Sequence, residues 1–181
     1  KFIEIIKNLE TPGTIVVTAN QRLAQVIQNR FNHQQQENHK LAWESAKVFP
    51  WTEWIKENLR RNQPDKFILS DDQDQWLWQQ TTPNVVNECL SPLLSIDSAK
   101  KANQILKLWR LPVDVCKHGN FENRIFYNWQ QKYEQACRNI NAINNAEIAD
   151  ILLNNDQRWL EENVKKIIWL GFQQTPPQTK T

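Results

Sequence analysis

The chain has 181 residues, 40% of them hydrophobic and 23% charged, with a formal net charge of +2. That length suits one domain, or one domain carrying an insertion, with an ordinary globular composition. The small net charge does not by itself imply a nucleic-acid partner and leaves room for a local basic groove, and no apolar run approaches the roughly 18 residues needed to span a bilayer.

In chain order, residues 1–10 carry Phe2, Ile3, Ile5, Ile6 and Leu9 and read as a short helix, stopped by Pro12-Gly13. Thr14–Thr18 is an unbroken apolar run, the pattern of a strand buried on both faces of a parallel sheet. Asn20 is placed to cap the next helix, in which Leu23, Val26, Ile27 and Phe31 recur at helical spacing. The polar stretch Asn32–Lys40 reads as a loop or frayed helix end. Ala46–Phe49 reads as a second strand, stopped by Pro50. A helix then begins near Trp51-Thr52 and buries Trp54, Ile55 and Leu59.

Ser70-Asp71-Asp72 caps a helix containing Trp76 and Leu77, and from there to about residue 164 everything reads helical. Ala102, Ile105, Leu106 and Trp109 form one apolar stripe. Phe121, Ile125, Trp129, Tyr133 and Cys137 form another, Ile148, Ile151 and Leu152 a third, and Trp159, Leu160 and Val164 a fourth. Pro112–Asn120 is the clearest loop. Ile167–Phe172 is a third strand. A helical block between strands of one sheet is an insertion pattern. The nine tryptophans fall at helical spacings, which points to core packing rather than a ligand cage. Cys89, Cys116 and Cys137 are odd in number and widely spaced, as expected of reduced thiols used in packing. With no signal-peptide pattern at the start, the expected location is cytoplasmic.

The chemistry that is missing is sharply defined. None of the three glycines is followed by Lys, so the chain holds no G-x-x-x-x-G-K-[ST] phosphate loop and no ATP cofactor is expected. After the third strand, Gln173-Gln174 stand where a nucleotide hydrolase carries the acidic residues that organise magnesium. No Asp-x-Lys or Glu-x-Lys triplet is present, so the core of a metal-dependent nuclease is absent too. His33, His39 and His118 have no metal-ligand spacing, and no metal is expected. The sequence therefore predicts a chain without catalysis of its own.

Three segments in order resemble the N-terminal part of inactivated superfamily 1 helicase-like proteins of the RecC and AddB type, and most closely the bacterial probable DNA repair proteins that carry a RecB-family exonuclease domain. They are Thr14-Ile-Val-Val-Thr-Ala-Asn-Gln-Arg-Leu-Ala24, Val48-Phe-Pro-Trp-Thr-Glu-Trp-Ile55 and Ile167-Ile-Trp-Leu-Gly-Phe-Gln-Gln-Thr-Pro-Pro177, with Trp109-Arg110-Leu111 similar to a W-R-L recurring in the insertion. Two departures stand out: Gln173-Gln174 in place of an acidic pair, and Thr-Pro-Pro at 175–177. The first segment aligns either with a degenerate phosphate loop (Thr18-Ala19-Asn20-Gln21) or with the next helicase motif, where a strand ends in Thr and the following helix approaches DNA. Its short distance to Phe49-Pro50-Trp51 favours the second.

The resemblance implies a RecA-like parallel α/β domain from residues 1–65 and 160–181, interrupted by an all-helical insertion at 66–159. Gln173 and Gln174 would then occupy a degenerate Walker B position. It also implies a nuclease of the PD-(D/E)XK type elsewhere in the protein. The expected function is a non-catalytic scaffold that binds or guides DNA, single-stranded or at a duplex end, for that nuclease. Further expected partners are the rest of the same polypeptide and a partner subunit, with no membrane contact. The expected DNA-contacting residues are Thr18, Asn20, Gln21, Arg22, Trp51, Thr52 and Trp54.

Each of these has a plainer alternative. Arg22 contacts a DNA phosphate or is a surface charge. Thr18 and Asn20 donate to phosphate oxygens or simply cap the helix, and capping is the favoured reading. Trp51 and Trp54 stack on unpaired bases or pack in the core, with packing favoured. Lys56, Arg60 and Arg61 are offset by Glu53 and Glu57, while Lys100, Lys101 and Lys107 suit a solvated face. At the level of the domain, the alternatives are a protein-docking module without DNA contact, and an ATPase whose phosphate loop lies outside these residues.

Overall fold

The computed structural model describes residues 2–82, 92–154 and 163–173. It is a mixed α/β protein containing a small parallel sheet of three strands. The described residues fall into two compact units, one drawn from Lys1–Asn58 and Asn155–Gln174 and the other from Leu59–Asn154.

The first unit opens with α1 (Phe2–Leu9), β1 (Thr14–Thr18), α2 (Gln21–Glu37) and β2 (Val48–Pro50). The following helix, α3 (Trp51–Asn62), begins here, and β5 (Lys166–Leu170) completes the sheet in the order β2-β1-β5. Both pairings are parallel, with Val17 level with Phe49 on one side and Trp169 on the other. All five residues of β1 are buried, which accounts for its unalternated apolar sequence. One face of the sheet packs Val16, Val48, Ile168 and Leu170 against Ile6 and Leu9 of α1 and Ala24, Ile27 and Phe31 of α2. Side chains alternate along a strand, so Phe49, Val17 and Trp169 share the opposite face.

Several expected boundaries move. The second strand starts at Val48 rather than Ala46, because the Val48 amide donates back to the Ala46 carbonyl at 2.9 Å and tightens the chain there. It runs on through Pro50, whose missing N–H is tolerated at its outer position in this sheet. The third strand is Lys166–Leu170, two residues short of Phe172, because Gly171 turns out of it at φ +82°. Of the two readings of Asn32–Lys40, a loop or a helix end, the helix end holds as far as Glu37, where α2 stops. There Gln35 is buried one turn beyond Phe31 and donates to the Glu10 carboxylate at 3.0 Å, and the helix stops where His39 takes φ +56°.

The second unit contains α4 (Asp71–Thr81), α5 (Pro92–Leu108), a 3₁₀ turn at Val113–Cys116, α6 (Phe121–Asn139) and α7 (Ile148–Leu153). The block is not all-helical: β3 (Phe67–Ile68) pairs in parallel with β4 (Ala142–Ile143). These strands are only two residues long, too short for any periodicity to reveal. The core joins Leu77 and Trp78 of α4, Ile96 and Ala99 of α5, and Trp129, Tyr133 and Cys137 of α6. On α5 the buried stripe is Ile96, Ala99 and Asn103, whereas Ile105 and Trp109 of the expected stripe stand exposed. Phe121 is exposed as well. Trp159 and Leu160 lie outside the described residues, and Val164 lies in the approach to β5 rather than on a helix.

Helix α4 starts as its sequence dictates. The Ser70 hydroxyl accepts from the Gln73 amide at 3.2 Å, and the Gln73 side chain accepts from the Ser70 amide at 2.9 Å, a reciprocal capping box. Ser70→Ala should therefore lower stability by about 1 kcal/mol. Urea denaturation of the two proteins measures this, and an unchanged midpoint would show that the cap contributes nothing.

Candidate nucleic-acid interface at the strand ends

The three parallel strands of the first unit end side by side: Thr18 is level with Pro50 and with Leu170. In open parallel sheets, ligands bind outside the carboxyl ends of the strands, where loops and helix N-termini gather. Here that edge carries the turn into α2, the first turn of α3 and the Gly171–Gln173 segment after β5. The β1 and β5 exits are tied together, since the Ala19 amide donates to the Leu170 carbonyl at 3.0 Å. Gly171 lies against the start of α2, where an added Cβ would come within 2.6 Å of Leu23 Cδ2 and 3.6 Å of the Ala19 Cβ. A side chain at Gly171 would have to displace the Leu23 side chain, and φ +82° disfavours one independently.

The expected contact residues separate by role. Thr18 is fully buried, and its single hydroxyl proton goes to the Asn20 carbonyl at 2.9 Å, with the Phe49 carbonyl at 3.4 Å. It fastens the turn and has no proton left for a phosphate. Asn20 is exposed and caps α2, accepting from the Leu23 amide at 2.9 Å. Gln21 and Arg22 are exposed in the first turn of α2, where the helix dipole favours an anion. Thr52 is exposed in the first turn of α3, Trp51 is half-buried and Trp54 is buried. Gln173 is exposed after β5, and Gln174 lies outside the described residues.

Trp51 and Trp54 do not stand alone. Trp169, 41% exposed, lies 5.2 Å from Trp51 and 6.3 Å from Trp54 between ring centroids, and Phe172 meets Trp169 edge-on at 5.4 Å. Trp51 and Trp54 are themselves 5.9 Å apart. All four rings belong to the first unit. Trp169 and Phe172 were missed as candidates because they sit in an apolar run that reads as interior. The signal that exposes them is the parallel register with β1, and register is not written in β5 itself. The nearby charges on α3 are mixed, with Glu53 in its first turn bridging Lys56 at 3.5 Å.

Among the described residues, no group of three or more His, Cys, Asp or Glu side chains is placed to hold a metal ion, and no helix is long and apolar enough to cross a membrane. His33 is paired on α2 with Glu37 at 3.2 Å and is well exposed. Comparison with protein-family models and with curated proteins gives no match for this chain.

Proposed function

We propose that this chain is a non-catalytic, helicase-like scaffold that holds or guides DNA along the carboxyl edge of its parallel sheet, in the manner of the RecC and AddB type, for a nuclease acting elsewhere. In this reading the first unit is a partial RecA-like domain and the helical unit its insertion. The observation that carries the proposal is the convergence at one edge of the exposed Gln21 and Arg22 on the α2 N-terminus, the exposed Thr52 on α3, and partly exposed aromatic rings. Contacts of this kind grip the backbone and tolerate sequence. Thr18 belongs to the support of the site, and Asn20 orients the helix that presents Arg22.

Fluorescence anisotropy with labelled single-stranded and duplex DNA at two salt concentrations tests this. Affinity should fall as salt rises, and Arg22→Ala should weaken binding at low salt and reduce the log–log salt slope by about 1, the loss of one phosphate contact. Absence of binding at low salt would overturn the reading.

A second reading is supported by a different observation. Ile105 in the last turn of α5, Trp109, Leu111 and Val115 after it, and Phe121 at the start of α6 are exposed. Exposed apolar side chains concentrated in one stretch of chain suit a protein-docking surface. Under that reading the chain binds no DNA, and replacing Trp109 and Phe121 by polar residues abolishes association with a partner.

A further inference from the structure

We infer that the outer face of α2 reads duplex DNA: Arg22 and Arg30 hold phosphates on the two walls of a major groove, and the Gln25 and Asn29 amides meet the base edges between them. This rests on the scaffold reading and specifies a double-stranded partner. Helix α2 buries Ala24, Ile27 and Phe31 against the sheet, so its other side is turned away from it. Arg22, Gln25, Val26, Asn29, Arg30 and His33 are exposed there, at the three- and four-residue spacings that share one side of a helix. Residues 21–36 include no Asp or Glu, and no carboxylate stands three or four residues from either arginine, where an offsetting partner would sit. The carboxylates that meet α2 do so from His33 onward: Glu37 pairs with His33 at 3.2 Å, and Glu10 accepts from Gln35 at 3.0 Å. Among the described residues, Arg22, Gln25, Asn29 and Arg30 have no side-chain partner of their own. The C-terminal part of the helix is thus tied down, while the preceding turns present unspent donors and positive charge.

The spacing selects the ligand. Arg22 and Arg30 are eight residues apart, about 12 Å along a helix rising 1.5 Å per residue. That equals the roughly 12 Å width of the B-form major groove, which is wide enough to admit a helix. With a guanidinium at each wall, the side chains between them face the groove floor. Gln and Asn amides suit the paired donor and acceptor on adenine, and the Val26 methyls suit the thymine methyl group. The arginines supply a grip that any sequence satisfies, and the amides add a preference among sequences. A single strand has no second wall at this distance and engages only one of the two arginines.

The experiment titrates the whole chain with a labelled mixed-sequence duplex, the same duplex built with 7-deazapurines, and one of its single strands. The 7-deazapurines lack the N7 acceptor, which opens only into the major groove, and keep the phosphates and the base pairing. The substituted duplex should bind at least about fivefold more weakly, and Gln25→Ala with Asn29→Ala should erase that difference. Arg30→Ala should weaken both duplexes alike and lower the log–log salt slope by about 1, while Arg30→Lys keeps the slope. All these positions are exposed, and far-ultraviolet circular dichroism checks that each variant is folded. Equal binding of the two duplexes by the unaltered chain would overturn the inference, as would an unchanged affinity in Arg30→Ala or tighter binding of the single strand. In each of those cases a loss of binding in Arg22→Ala would leave the scaffold reading standing. Binding of no probe at low salt would overturn both.

Discussion

Trp78→Ala is expected to destabilise the helical unit by about 3–5 kcal/mol, which would remove much of the margin of a typical domain. Trp78 is 1% exposed and lies stacked on Tyr133, with ring centroids 4.3 Å apart and an interplanar angle of 12°. The Tyr133 hydroxyl donates to Asp74 Oδ1 at 2.6 Å. Asp74 lies one turn before Trp78 on α4, and its other oxygen meets Lys100 of α5 at 3.4 Å. The indole is therefore both filler and template: it occupies the space between α4 and α6 and holds the Tyr133 ring where its hydroxyl meets a buried carboxylate. Truncation leaves a cavity that neighbours tied by hydrogen bonds cannot easily fill. Trp78→Phe should cost less, since it keeps the stacking and loses only part of the volume. Urea denaturation followed by far-ultraviolet circular dichroism measures both. A Trp78→Ala loss below about 1 kcal/mol would mean that the surroundings collapse freely, contrary to the packing described.

That stack shows where the sequence was informative and where it was silent. Tyr133, Cys137 and Trp129 lie on one helical stripe, and the structure buries all three. Periodicity also located α2 and α3, the Ser70 cap located α4, and the Ser70 and Asn20 side chains do accept amide protons there. These features depend on residues three or four apart, so a single strip of sequence contains them. What was not legible depends on partners far away in the chain. The pairing of Phe67–Ile68 with Ala142–Ile143 joins two dipeptides with no signal of their own. The exposed side of α5 is set by which neighbours cover it, so Ile105 and Trp109 look like core in sequence and are not.

The strand-end site follows the same division. The exposed start of α2, with Gln21 and Arg22, was legible because a strand, a cap and a helix occur in immediate succession. That the Thr18 hydroxyl is spent on the Asn20 carbonyl was not, since the shape of the turn after β1 decides it. Trp169 and Phe172 gained significance only once the register set Trp169 beside Val17 and within reach of α3.

Lys107→Met should destabilise the helical unit by on the order of 3 kcal/mol at neutral pH, because it leaves two poorly solvated carboxylates facing each other. Near the end of α5, the Lys107 ammonium pairs with Glu134 of α6, and with Glu147 just before α7 at 2.6 Å. Glu147 also accepts from the Asn144 amide at 3.1 Å, so one cation clamps three segments. Replacing Glu134 and Glu147 by Gln in the Lys107→Met background should restore much of the loss, since no unpaired charge remains. Burial alone would lower the Lys107 pKa, but the Glu147 and Glu134 carboxylates outweigh it and raise the value. A raised folded pKa gives stability that is complete below the unfolded value near 10.5 and is lost as pH climbs through the folded one. Cys137 acts with the same sign at lower pH: burial pushes its thiol from 9.0 up to about 11, so its contribution is intact below pH 9.0 and disappears as pH rises toward 11. Burial and the Asp74 hydrogen bond raise Tyr133 likewise. Stability should therefore hold through neutrality and decline above pH 9, with Cys137→Ala flattening the first part of that decline and Lys107→Met the part above pH 10.5. Urea midpoints measured at intervals from pH 7 to 11 test the assignment. An identical alkaline slope in Cys137→Ala would remove the thiol from the explanation and leave Lys107 and Tyr133 as its source.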